Sequence, residues 1–117
     1  MAAPNIVNVA TITGKTAVQA VGTSATAIVT NSASSGKVFK VNALLVSNVD
    51  GSTTAEITVD LYRSSTAYHL AKTVVVPADA TLDVLSKAIY LEEGDSLRLT
   101  ANAASDLEAI CSYEEIS

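Results

Sequence analysis

The order of hydrophobic and polar residues along this chain repeats with a period of two rather than 3.6. In AEITVDLYR, from Ala55 to Arg63, Ala, Ile, Val and Leu alternate with Glu, Thr, Asp and Tyr. Successive side chains of a β-strand point to opposite faces of a sheet, so this pattern predicts a strand with one buried and one solvated face. LRLTA at 97–101 and LEAICSY at 107–113 repeat the pattern. No comparable helical pattern occurs, and we predict an all-β fold with little or no helix.

Further strands are predicted where short apolar runs are bounded by turn residues. KVFKVNALLVSN is apolar on both faces around Ala43 to Val46 and predicts a central strand covered on both sides. Asp50-Gly51 is a strong hairpin signal, and EEGDS turns at Gly94. The remaining strand candidates are Ile6–Thr13, Thr16–Val21, Ala25–Thr30, Tyr68–Val76, Thr81–Leu85 and Ile89–Leu91.

Short strands separated by frequent turns are typical of an antiparallel β-sandwich, with either jelly-roll or immunoglobulin-like topology. The 117 residues are enough for one domain and no linker divides them, so we predict a single domain over 1–117. The side chains predicted to be buried are Ile57, Val59, Leu61, Leu97, Leu99, Leu107 and Ala109. Those predicted to be more exposed are Glu56, Thr58, Asp60, Arg98 and Glu108.

Charge divides the chain unevenly and points to a contact region. The net charge of −5 argues against general nucleic-acid binding, and all twelve acidic residues lie from Asp50 onward. Residues 1–36 carry one charge, on Lys15, although apolar side chains recur there. Interface cores are depleted in charge, so we predict that 1–36 contacts a neighbouring chain. The alternative is that these strands close the sandwich internally. The predicted interface residues are Ile6, Val9, Ile12, Thr16, Val18 and Ala20.

An acidic cluster is the first candidate for chemistry. Glu92, Glu93 and Asp95 surround Gly94, directly before an alternating apolar run. Three acids at one turn do not supply the oxygen-rich shell that calcium requires, and nothing nearby buries one of them to raise its pKa for catalysis. We therefore predict a solvated hairpin loop, and no metal.

Single reactive residues give no stronger signal. His69 is the only histidine, which excludes a site with several His ligands. Cys111 is the only cysteine, so an intrachain disulfide is impossible and a buried, inert thiol is the expectation. Four tyrosines without a tryptophan make a weak aromatic platform for a sugar. We predict no catalytic residue and no cofactor.

No targeting or membrane segment is recognisable. The beginning, MAAPNIVN, has neither the basic part nor the long apolar part of a secretory signal. No apolar run approaches the length of a membrane span. The expectation is a soluble protein made in the cytoplasm, without membrane contact.

Four motifs resemble a known group of proteins. VSNVDGSTTAEITVDLY, VVVPADATLDVL, AIYLEEGDSLRLTA and LEAICSYEEI follow one another between Val46 and Ile116. In this order and spacing they resemble small virion structural proteins of tailed bacteriophages, including those that infect cyanobacteria. The resemblance implies a β-sandwich that decorates or joins the virion and has no catalytic residues.

The resemblance also sets expectations for function. It implies a non-enzymatic virion protein, with a capsid decoration (cement) protein as the leading interpretation. The implied partners are the major capsid protein or other virion proteins. The charge-poor residues 1–36 predict a homo-oligomer interface, a capsid contact or both, and among homo-oligomers a trimer is favoured. The alternatives are a neck or tail component and a carbohydrate-binding module for host recognition.

Overall fold

The alternation of apolar and polar side chains produces two antiparallel sheets packed face to face in the computed structural model, which describes residues 4–117. These residues form no helix, and therefore none long and apolar enough to cross a membrane. The prediction of an all-β sandwich is confirmed. The strands are β1 (Ile12–Ala20), β2 (Thr26–Thr30), β3 (Val38–Asn48), β4 (Ala55–Arg63), β5 (Thr66–Val76), β6 (Thr81–Asp83), β7 (Ile89–Leu91), β8 (Ser96–Ala101) and β9 (Leu107–Ile116).

The strand order is that of a jelly roll. Sheet A has the order β1–β9–β3, and the short strands β6 and β7 both pair with the other side of β3. Sheet B has the order β2–β8–β4–β5. With β6 and β7 taken as one interrupted strand, this is the eight-stranded jelly-roll order, which decides between the two predicted topologies. Most consecutive strands therefore lie in different sheets.

The core lies between the two sheets, where the inward side chains of both meet. Of the predicted core residues, Leu61 is only partly buried and the others are buried. The prediction that Asp60 is exposed is wrong, since it is 3% exposed. Its carboxylate faces Arg98 on the neighbouring strand, with Nε to Oδ1 at 2.9 Å, and this ion pair satisfies the buried charge. The register shifts of the β4–β5 ladder place their extra residues in β5, so β4 keeps its alternation and Asp60 lies on the outer face, as the pattern predicted.

The first two predicted strands, Ile6–Thr13 and Thr16–Val21, are wrong in their bounds. They are replaced by the single strand β1, and residues 5–11 form no strand. The Gly14-Lys15 pair is not a turn, because every residue of β1 lies opposite a residue of β9 without a register shift. The other four strand candidates agree with β2, β5, β6 and β7 to within two residues at each end.

The predicted hairpin at Asp50-Gly51 is also wrong. The turn connects β3 of sheet A to β4 of sheet B, and Gly51 lacks the positive φ that a type I′ hairpin requires. The two-residue hairpin lies instead at Ser64-Ser65, between β4 and β5, with φ of 51° and 60°. Two serines in this conformation are an uncommon choice, so sequence reasoning did not find the turn.

The central strand β3 is covered on one face only, contrary to prediction. Its ladder with β9 shifts register between Val41 and Ala43, which leaves Asn42 as a bulge. The bulge changes which residues point inward: Val41 before it and Leu44 after it are both fully buried. Leu45 consequently points away from the core and is 37% exposed.

Truncating a side chain at the centre of the core tests this packing. Leu99 is fully buried on β8, so Leu99→Ala should lower the free energy of unfolding by about 2–5 kcal/mol through lost burial and a residual cavity. Urea denaturation measures the change. Leu70→Ala makes the same truncation at a 40% exposed position on β5 and should cost clearly less. Equal losses at the two positions would contradict the assigned core.

Candidate protein interface

A row of exposed apolar side chains crosses the outer face of sheet A. Val18 of β1 lies opposite Ile110 of β9, and Ile110 in turn lies opposite Leu45 of β3. The three side chains are 74%, 47% and 37% exposed, respectively. Neighbouring strands are about 4.8 Å apart, so the row is continuous. We call it the apolar row, and it is an apolar patch on a face that the jelly roll itself does not cover.

The residues around the apolar row are small and mostly uncharged. Towards one end of the strands, Thr16, Ser112 and Ala43 form the next row of partners. Towards the other end a shallow groove of about 370 Å³ runs beside the row. Glu108 lies at this side of the patch, and a second charged residue, Asp83 of β6, lies opposite Leu45 at the end of the row. The groove is lined by Val18, Gln19, Ala20, Ser47, Glu108, Ala109 and Ile110.

Sheet B presents a polar centre on its outer face, although Leu70, Val74 and Val75 of its edge strand β5 are 40%, 36% and 53% exposed. Its centre is the Arg98–Asp60 ion pair, and the Arg98 guanidinium also lies 3.9 Å from the centre of the Tyr62 ring. On the next rung Thr58 lies opposite Thr100. These polar groups are satisfied by one another or by water and require no partner. The two outer faces therefore differ in the chemistry that they present.

The predicted interface residues fall into two groups. Thr16, Val18 and Ala20 lie on β1 at the patch, and all three are exposed. Ile12 begins β1 at 56% exposure, while Ile6 and Val9 precede the strand and are not part of the patch. Residues 1–3 of the predicted contact region lie outside the described residues. The proposal that this segment binds another chain stays a prediction.

Sequence reasoning missed two members of the patch, Ile110 and Leu45. Ile110 lies between Ala109 and Cys111, which are both buried. The alternation therefore predicted an apolar side chain on the solvated face of this strand, and Ile110 could have been identified from the sequence. Leu45 could not be assigned, because the bulge at Asn42 decides which side of β3 it occupies.

The acidic loop is a structural clamp and not the solvated hairpin that was predicted. It joins β7 of sheet A to β8 of sheet B, and Asp95 is 1% exposed. Arg63, at the end of β4, donates from Nε to Asp95 Oδ1 at 2.7 Å and from a terminal nitrogen to Glu92 Oε2 at 2.8 Å. The hydrogen bond to Asp95, followed by the attraction of both acids, raises the pKa of Arg63 above its usual range. The two acids thus fix the loop between β7 and β8 to the end of β4.

The same loop is fixed to the chain before β3. Gly94 adopts a φ of 89°, and its N–H donates to the carbonyl of Asn31 at 2.7 Å. The N–H of Asn31 donates to the carbonyl of Asp95 at 2.9 Å. Glu93 Oε2 accepts the N–H of Gly36 at 3.0 Å. Each acid of the cluster therefore has a partner within the protein.

The remaining reactive side chains are not brought together. His69 is exposed on β5, whereas Cys111 is fully buried, and burial raises the pKa of its thiol to about 11. Between residues 4 and 117 no three His, Cys, Asp or Glu side chains form a group that could hold a metal ion. The tyrosines are also divided between the sheets, with Tyr62 and Tyr68 on sheet B and Tyr90 and Tyr113 on sheet A.

Comparison with known proteins gives a likeness of fold. No protein-family model matches this sequence, and no curated protein matches it. A solved structure of Bacillus endospore appendages, described as a novel family of disulfide-linked pili, is similar with a TM-score of 0.54 and 17% sequence identity. The alignment covers 92% of this chain and 88% of that chain. The sandwich is therefore a known architecture.

The clamp predicts that removing the Arg63 side chain destabilises the protein more than removing an exposed lysine does. Arg63→Ala should lower the free energy of unfolding by about 1–2 kcal/mol, because the buried Asp95 loses its charged partner. This loss is small compared with the usual cost of removing the partner of a buried charge, because Arg63 is 42% exposed and water replaces part of the interaction. Urea denaturation measures it, and Lys72→Ala on exposed β5 should stay within about 0.5 kcal/mol. A loss no larger than that of Lys72→Ala would contradict the clamp.

The turn after β3 should respond to acid. Hydrogen bonds from Thr53 and then Ser52 lower the pKa of Asp50 from 3.8 to about 2. The stability that this group contributes is therefore complete above the unfolded-state pKa and is lost as the pH falls towards 2. Asp50→Asn should be less stable than the parent near neutral pH, and the two should converge in acid. Denaturation curves over this pH range measure the difference, and a difference that stays constant would refute the assignment.

Proposed function

We propose that this chain is a non-enzymatic structural protein of a tailed-bacteriophage virion, and specifically a capsid decoration protein that stabilises the shell through protein–protein contacts. The observation that carries the proposal is the apolar row Val18–Ile110–Leu45 on the uncovered face of sheet A. A contiguous apolar patch that is rimmed by polar residues marks a site of interaction. The resemblance of the four motifs to phage virion proteins supplies the kind of assembly.

The difference between the two faces suits a protein attached to the outside of a shell. Sheet A would lie against the major capsid protein or a neighbouring copy, where its small uncharged side chains permit close packing. Sheet B and the acidic loops would face solvent. Each contact can be weak, because copies repeated on a lattice gain avidity when several sites are engaged together.

The fold likeness to a pilus protein is compatible with a role in assembly. That protein forms disulfide-linked pili. In this chain the single cysteine, Cys111, is buried in the core and its thiol has a raised pKa, so it is poorly suited to form a disulfide with another subunit. The proposed assembly therefore relies on noncovalent contacts.

Catalysis is not part of the proposal. Asp95, Glu92 and Glu93 are engaged in structural hydrogen bonds, and His69 stands alone on β5. General acid–base or nucleophilic chemistry needs paired groups within hydrogen-bonding reach. We assign the protein no catalytic residue and no cofactor.

A neck or tail component is the second candidate within the same class, since the apolar row would serve either location. A carbohydrate-binding role is less well supported. Tyr62 is covered by Arg98, and the exposed Tyr68 and Tyr90 lie on different sheets. They do not form one platform against which a sugar ring could stack.

A charge placed in the apolar row tests the proposal. Ile110→Asp should reduce incorporation into virions at least tenfold, because an unpaired carboxylate would be buried in the contact. Tyr68→Asp is the matched control, since Tyr68 is 58% exposed on sheet B and Ile110 is 47% exposed on sheet A. Purified virions carrying each allele are compared by quantitative gel analysis, and circular dichroism checks that both variants fold. Incorporation of Ile110→Asp equal to that of Tyr68→Asp would refute the role of the row.

A cryo-EM map of the intact particle distinguishes the locations. Density for the jelly roll on the capsid surface would support decoration, and density at the neck or tail would support the second candidate. Absence of the chain from the particle would refute a virion role altogether. Binding on a glycan array that Tyr68→Ala or Tyr90→Ala abolishes would favour the carbohydrate-binding alternative.

A further inference from the structure

The first strand of sheet A has one backbone edge without a partner in the described part of the chain. β1 pairs with β9, and no strand within residues 4–117 pairs with its other side. Thr11 and Ser117 exchange both backbone hydrogen bonds, at 3.0 and 2.9 Å. Such pairs alternate along an antiparallel ladder, so the odd-numbered residues of β1 bond to β9. The N–H and C=O groups that point outward belong to Ile12, Gly14, Thr16, Val18 and Ala20.

The other sheet edges carry features that prevent pairing. β5 has two register shifts against β4, and Thr73 adopts a φ of 46°, next to the charged Lys72. β2 has a register shift, and the side chain of Gln19 donates to its Ala27 carbonyl at 3.0 Å. β6 and β7 have three residues each. Bulges, lysines and short strands are the usual protection of an edge.

β1 lacks this protection. It pairs without a register shift over all of Ile12–Ala20, contains no proline and has one charge, on Lys15. Lys15 is odd-numbered, so its backbone bonds to β9, and its side chain is paired with Glu115 at 2.9 Å. The outward positions are all uncharged. A long, regular and uncharged edge of this kind is complementary to another strand of the same character.

We propose that β1 pairs antiparallel with β1 of a second copy of this chain, around a two-fold axis at Val18, so that two sheets A form one continuous sheet. This inference rests on the proposed function as a protein of a larger assembly. It names a second copy of the chain as the partner that binds at the apolar row. Such a contact is isologous, since each copy contributes the same residues. Thr16 of one copy would lie opposite Ala20 of the other, and the outward N–H and C=O groups of Thr16, Val18 and Ala20 in both strands would be satisfied.

Continuity of the apolar row selects this register. With Val18 on the axis, the row Leu45–Ile110–Val18 of one copy continues directly into Val18–Ile110–Leu45 of the other. The 74% exposed Val18 side chain then gains an apolar neighbour across the axis. A register centred on Thr16 would instead place Val18 opposite Gly14, which has no side chain to contact.

Charge selects the same register. With Val18 on the axis, Lys15 lies opposite Val21 of the second copy, and the two Lys15 residues are separated by about 20 Å along the strands. A register centred on Thr16 would bring them to the diagonal positions of adjacent strands, about 7 Å apart, where like charges repel.

Removing one backbone donor tests the pairing. Val18→Pro deletes an N–H that points outward and leaves every β1–β9 hydrogen bond in place, a position where strands tolerate proline. In light scattering after size exclusion, the parent protein should have the mass of a dimer and Val18→Pro that of a monomer. Their circular dichroism spectra should agree. Ala17→Pro is the matched control, because it removes a bond to β9 and should destabilise the fold.

Cysteine cross-linking tests the register. Hydrogen-bonded partners in an antiparallel ladder have Cα atoms about 5.5 Å apart, within the range that a disulfide spans. Val18→Cys should form a disulfide-linked dimer on mild oxidation, Thr16→Cys alone should not, and an equal mixture of Thr16→Cys and Ala20→Cys should. The parent should not cross-link, because Cys111 is buried.

Each other outcome overturns the inference. Cross-linking of Thr16→Cys alone would refute the register, and a parent protein that is monomeric at about 100 times the Val18→Cys working concentration would refute the pairing. The mass of a trimer, the homo-oligomer favoured from the sequence, would also exclude a two-fold contact. If the parent protein forms no β1–β1 dimer but is incorporated normally into virions, the pairing is refuted and the proposed function stays intact. A dimer that is absent from virions would refute the proposed function and leave the pairing.

Discussion

Hydrogen bonding of β9 to both β1 and β3 is the interaction on which sheet A depends. β9 pairs with β1 on one side and with β3 on the other over almost its whole length. It aligns Val18, Ile110 and Leu45 into one row, although these residues are far apart in the sequence. It also leaves the second side of β1 without a partner within the described residues, so the apolar row and the open edge have the same origin.

The buried charged side chains of the sandwich have structural partners, whereas the outer face of sheet A is the surface that we propose for recognition. The buried carboxylates of Asp60 and Asp95 are each paired with an arginine from a neighbouring element. These pairs fix how the loops and strands meet. The recognition surface that we propose is the outer face of sheet A, where affinity would come from burial of apolar surface and from strand pairing.

Much of the fold was predictable from local pattern. Alternation found β4, β8 and β9 and most of the core, because each inward residue of a half-buried strand must be apolar. The scarcity of charge in the first 36 residues predicted Thr16, Val18 and Ala20 as interface residues, and these three residues lie in or beside the apolar row. The predictions of how consecutive strands are connected were wrong at two turns. Asp50-Gly51 and Glu92–Asp95 carry the residues of hairpin turns, yet both join strands of different sheets.

The sequence by itself determined that the chain is a β-sandwich, which residues of most strands face inward, and where charge is missing, since these follow from side-chain polarity and a period of two. The tertiary structure alone decided which strands are neighbours, because backbone hydrogen bonds are the same for every residue and carry no sequence label. It decided the burial of Asp95, which depends on an arginine 32 positions away. It also decided the outward direction of Leu45, because a bulge is recognised only against the register of the partner strand.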